Sequence, residues 1–81
     1  MTDRIRAILD QAAKLPVSAS TLTDDADLHE AGLTSFASVQ LMLALEDAFD
    51  IEFPERMLNR RTFATIRSIE TAVTELTRAA A

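Results

Sequence analysis

Pro16, Gly32 and Pro54 are the only strong helix breakers in this 81-residue chain. One Gly, two Pro and no Tyr or Trp are poor material for strands and tight hairpins, whereas Ala and Leu, good helix formers, abound. The stretches between the breakers carry helical periodicity. Ile5, Ile8, Leu9 and Ala12 fall at i, i+3, i+4 and i+7, which predicts an amphipathic helix over 3–14. Pro16 stops it, because the residue before a proline is pushed out of the α region. Residues 16–34 then form a long polar connection with Ser18, Ser20, Thr21, Thr23 and four acids. A structureless stretch of that length in so small a domain is functional or tied down. Leu22, Leu28 and Leu33 are its expected anchors on the core.

Gly32 marks the end of the connection, and Ser35 is the expected N-cap of the next helix. Phe36, Val39, Met42, Leu43, Leu45, Ala48 and Phe49 cover a broad apolar face over 35–49. Pro54 suits the first position of a short helix through Glu55–Leu58. Thr62 or Thr65 caps a last helix with Ile66, Ile69, Val73 and Leu76 on one face, and the terminal alanines are expected to fray. The fold class is therefore all-α: a small four-helix bundle, three helices long and one short, with a long loop between helices 1 and 2. Residues 1–81 make one domain, since a second would be too small to bury a core.

There is no Cys, which removes disulfides, thiolate chemistry and zinc–sulfur or iron–sulfur sites. Asp3, Arg4, Arg6 and Asp10 interrupt any signal-peptide core, and the longest apolar run, Leu41–Leu45, is far too short to cross a bilayer. A soluble, monomeric cytoplasmic protein without membrane contact is expected. The net charge of −5 is concentrated: from Leu15 to Pro54 there are eight acids and no Lys or Arg. That field repels phosphate backbones, so nucleic acid is not an expected partner, and it attracts a protein with a basic patch.

No catalytic constellation emerges, so the chain is not expected to be an enzyme. His29, the only His, reads as a solvated loop residue rather than a base or metal ligand. Asp24-Asp25-Ala26-Asp27 is an acidic face and not a calcium loop, because counting from Asp25 puts Glu30 and Phe36 where Gly and Glu are needed. Ser35 stands out, with its hydroxyl at the positive end of the longest helix, where a phosphate ester would meet free backbone N–H groups.

The residues around it are more specific. Gly32-Leu33-Thr34-Ser35-Phe36-Ala37-Ser38-Val39-Gln40-Leu41, followed by Leu45-Glu46-Asp47-Ala48-Phe49 and Ile51-Glu52-Phe53-Pro54, resembles the acyl carrier protein family from about Ile5 to Leu76. Its members carry a G-L-D-S-L stretch, a helix ending in L-E-x-x-F and an I-x-[IF]-P turn. The resemblance implies that Ser35 receives 4′-phosphopantetheine from coenzyme A through a phosphopantetheinyl transferase, and that the arm's thiol holds cargo as a thioester. Thr34 stands where the family usually has Asp, Phe36 where it has Leu, and Gln40 where many members have Glu. The G-L-[ST]-S-F-A-S-V-Q pattern is most similar to stand-alone aminoacyl carrier proteins.

That likeness implies loading by an amino acid:carrier protein ligase and delivery to a downstream transferase. The alternative partner is an acyl-activating enzyme with fatty or polyketide-type cargo; a remoter one is an unmodified interaction module. Glu46, Asp47 and Asp50 form the expected recognition patch, because two acids at a helix C-terminus oppose its dipole and no local compensation is visible in sequence. Ser38, a turn inside the helix, is not an expected attachment site. Four rings, Phe36, Phe49, Phe53 and Phe63, are expected to crowd the interior and so favour small cargo such as an amino acid over a long acyl chain.

Overall fold

The computed structural model describes residues 1–80. Its helices are α1 (Thr2–Ala12), α2 (Ser35–Phe49) and α3 (Ile66–Ala80), with single 3-10 turns at Ala19–Thr21 and Glu55–Met57 and no strand among the described residues. The all-α class holds. The fourth, short helix reduces to the three-residue 3-10 turn at Glu55–Met57, and a second such turn lies within the long connection. The first helix ends at Ala12, two residues before the expected boundary, because Lys14 adopts a left-handed φ of 50° ahead of Pro16. Of the terminal alanines expected to fray, Ala79 and Ala80 belong to α3, and Ala81 lies outside the described residues.

The helices meet where periodicity places their apolar residues. Ile5 and Leu9 of α1, Leu41 and Leu45 of α2, and Ile66, Ile69 and Val73 of α3 are fully buried together. α1 packs against both α2 and α3. Phe53 and Phe63 seal one end, their ring centroids 5.5 Å apart in a tilted arrangement favourable to the ring quadrupoles. Thr65 caps α3: its hydroxyl accepts the Ser68 N–H at 3.0 Å, and Ser68 Oγ accepts the Thr65 N–H at 3.1 Å.

The connection between α1 and α2 is fastened along its length. Leu28 and Leu33 are buried and Leu22 is packed on the core, as the sequence indicates. Arg6 reaches from α1 to the carbonyls of Ala19 and Leu22 and to Asp24. The Leu28 N–H donates to Ala64 at 2.7 Å and the Arg67 N–H to the Asp24 carbonyl at 2.9 Å, which joins the loop to the start of α3. Arg67 also donates to both Asp25 carboxylate oxygens, at 2.6 and 3.2 Å, and that hydrogen bonding holds the carboxyl below its ordinary range. A loop with so many partners is a rigid mount for the residues that follow it.

The broad apolar face of α2 divides in two. Ala37, Leu41 and Leu45 face the core, with Met42 and Phe49 packed beside them. Phe36, Val39 and Leu43 face outward, and Phe36 is 74% exposed. The apolar positions span a wider arc of the helix than α1 and the loop cover. The expectation of four core rings is therefore corrected. Phe53 and Phe63 are interior, Phe49 is half-buried beneath the Arg4 guanidinium at 4.5 Å, and Phe36 lies on the surface.

Candidate functional site

The site begins with how α2 starts. Thr34, extended at φ −79° and ψ 168°, is the N-cap, and its hydroxyl accepts the Ala37 N–H at 3.0 Å. The sequence assigned that cap to Ser35, but a helix has one N-cap, and the hydroxyl of the preceding Thr takes the role. Ser35 becomes the first helical residue, exposed, with its side chain released from capping. Ser38 lies one turn on, half-buried, and its hydroxyl donates to the Thr34 carbonyl at 3.0 Å. Of the three hydroxyl-bearing side chains at this helix start, Thr34, Ser35 and Ser38, Ser35 is the one left open for chemistry at the positive end of α2.

Gly32 sets the approach. Its φ of +116° is a backbone that side-chain-bearing residues rarely adopt, and a Cβ there would lie 2.8 Å from Pro16 Cδ. The two breakers that bound the connection in sequence thus touch in space. They turn the chain into Leu33, which is buried, and then into the cap.

Beside Ser35 opens a cleft of about 600 Å3. The start of α2 forms one side, and the segment from Leu58 to Phe63 forms the other. His29 spans it at the base: Nδ1 lies 3.3 Å from the Leu33 carbonyl and Nε2 3.2 Å from the Arg60 carbonyl. The expected solvated histidine is thus half-buried and structural, a brace between backbone segments far apart in sequence. Among the described residues no group of His, Asp and Glu could hold a metal ion.

The acids at the other end of α2 separate in role. The Glu46 carboxylate accepts the Phe53 N–H at 2.8 Å, which supplies the local compensation that sequence reasoning did not find. Asp47 is exposed. Asp50 terminates the helix in the left-handed conformation, φ 54° and ψ 52°, with its N–H bonded to the Glu46 carbonyl. Phe36, Val39, Leu43 and Asp47 run along the outer side of α2 from beside Ser35, over about three turns. Sequence periodicity placed Phe36, Val39 and Leu43 with the core; only their excess over what one face can bury hinted at an exposed stripe.

Comparison with known proteins fits this geometry. Residues 3–73 match the family described as "Phosphopantetheine attachment site". The aminoacyl carrier protein of Agrobacterium fabrum (strain C58 / ATCC 33970) is 56% identical over 73 residues, 90% of this chain and 88% of that one. The carrier protein from Agrobacterium tumefaciens, in a crystal structure with an engineered Bradyrhizobium japonicum glycine:[carrier protein] ligase and AMP, superposes with a TM-score of 0.88 at 55% identity, covering 91% and 99% of the two chains. A glycylated carrier protein bound to the Bradyrhizobium japonicum ligase superposes at 0.66 with 30% identity, over 88% and 90%. Family match, fold and an exposed serine opening α2 converge: this chain belongs to the phosphopantetheine attachment site family of carrier proteins.

Proposed function

We propose that the chain, as one carrier domain over residues 1–81, bears 4′-phosphopantetheine on Ser35 and carries an amino acid to partner enzymes in the cytoplasm. The carrying observation is Ser35 itself, exposed at the first position of α2 on the rim of the cleft. The surroundings fit the group. The Ser35 and Phe36 N–H groups have no acceptor among the described residues, and the cleft lining contains no acid. When attached, the arm supplies the thiol that this Cys-free chain lacks, and that thiol holds cargo as a thioester.

The chain's own part is to present that arm and to be recognised. Catalysis belongs to a phosphopantetheinyl transferase, an amino acid:carrier protein ligase and a downstream transferase. The outer stripe Phe36, Val39 and Leu43, ending at Asp47 and Asp50, offers a ligase an apolar contact with an acidic end that a basic group on the partner would steer towards. Glu46 contributes its charge to that end while its carboxylate holds the following loop. An amino acid cargo is supported by the relatives handled by a glycine:[carrier protein] ligase, and no longer by a ring-filled interior.

The test incubates wild type and Ser35→Ala with coenzyme A and a phosphopantetheinyl transferase, then with an amino acid ligase or a long-chain acyl-activating enzyme. Mass spectrometry should show one arm on wild type, none on the variant, and an aminoacyl adduct with the ligase. An arm on the Ser35→Ala protein would refute the site, and preferential long-chain loading would refute the cargo.

A further inference from the structure

The cleft beside Ser35 has a charge character opposite to that of the chain. The protein carries a net charge of −5, yet the only residues lining the cleft that can bear a charge are Arg60 and His29. Arg60 is exposed, and among the described residues it joins no ion pair, whereas Arg6, Arg56 and Arg67 each meet an acid. Its backbone is nonetheless held firmly. His29 Nε2 lies 3.2 Å from the Arg60 carbonyl, and the flanking Asn59 side chain donates to the Arg56 carbonyl and accepts the Thr62 N–H, both at 3.0 Å. A fixed backbone with an unpaired guanidinium on the rim is arranged to meet an anion. Next to it, Val39, Met42 and Leu58 give the cleft an apolar lining.

We propose that Arg60 binds the phosphodiester attached to Ser35, so that the arm rests in the cleft over Val39, Met42 and Leu58 when no partner holds it. This rests on Ser35 being the attachment site. The ligand class is a phosphodiester followed by a short, partly apolar amide chain. The guanidinium supplies the counter-charge, and the exposed site leaves the contact weak enough for a partner to displace. Arg61, its exposed neighbour, does not line the cleft and carries no such role.

The experiment compares apo and phosphopantetheinylated forms of wild type, Arg60→Gln and Arg61→Gln by 1H–15N and 31P NMR; mass spectrometry confirms the arm. The two variants lose the same charge, so a general electrostatic effect moves both equally. In wild type and Arg61→Gln, modification should shift the amides of residues 39–42 and 58–60 as well as those flanking Ser35. In Arg60→Gln the distant shifts should vanish and the 31P resonance should move towards that of the same serine phosphodiester in the urea-unfolded, phosphopantetheinylated protein. Free coenzyme A added to Ser35→Ala should leave those amides unmoved. Shifts confined to residues 34–37 in wild type, equal loss in both Arg variants, or equal shifts from free coenzyme A would each overturn the assignment. A failure of Ser35 to gain the arm would overturn the Ser35 reading and this one together, whereas an arm without distant shifts overturns only the role of Arg60.

Discussion

The Glu46 carboxylate accepts the backbone N–H of Phe53 at 2.8 Å, tying the last turn of α2 to the residue that leads into Pro54. Phe53 is buried, so its N–H has little water to fall back on. Glu46→Ala should therefore destabilise by about 1–3 kcal/mol, the cost of an orphaned buried donor. For a domain of this size each kcal/mol lowers Tm by about 4–8 °C. Asp47, exposed and opposed to the helix dipole, should behave the other way. Asp47→Lys should hold or slightly raise Tm and slow ligase loading at low ionic strength, with the difference shrinking in high salt. Thermal melts and loading rates at two salt concentrations check both outcomes.

Thr34 and Ser35 divide capping from attachment. Thr34→Ala removes the hydroxyl that accepts the Ala37 N–H and should cost about 0.5–2 kcal/mol, with Ser35 still able to receive the arm. Ser35→Ala, in an exposed first-turn position, should stay within about 0.5 kcal/mol of wild type while losing modification. Urea denaturation and intact-protein mass spectrometry on the two variants would show the crossed pattern. A Ser35→Ala loss as large as that of Thr34→Ala would mean that the cap lies at Ser35 after all.

Gly32→Ala should destabilise by about 1–3 kcal/mol, because the new Cβ meets Pro16 Cδ at 2.8 Å and the backbone φ is +116°. Replacing Pro16 by Ala in the same chain removes the collision but leaves the strained φ. The double variant should recover part of the loss and not all of it. A double-mutant cycle measures that coupling, and strict additivity would show that the contact is not felt.

Asp25 is held below the usual carboxylate range by its hydrogen bonds to Arg67. A carboxyl lowered in the folded state contributes stability that is complete above its unfolded value, about 3.9, and is lost as pH falls through the lowered one. The gap in Tm between wild type and Asp25→Asn should thus be constant near neutrality and close below about pH 4. Both partners are exposed, so the gap is small and should narrow in salt. A gap that widened on acidification would contradict the sign.

What the sequence determined alone is what local patterning and spacing encode. The limits of α2, the apolar spacing of Ile66, Ile69 and Val73, and the anchors Leu28 and Leu33 follow from periodicity and from the few breakers. The stretch from Gly32 to Leu41 carried the family and singled out Ser35. Tertiary structure decided what depends on neighbours distant along the chain. Phe36 and Leu41 are both apolar residues of one helix, and only the placement of α1 makes one of them surface and the other core. Glu46 looked uncompensated because its partner, Phe53, lies beyond the end of the helix, and His29 looked solvated because Arg60 is 31 residues away. Periodicity reports how much of a helix is apolar; which part of that surface is covered is set by what packs against it, and the cleft between Ser35 and Arg60 exists only once α2 and the 58–63 segment meet.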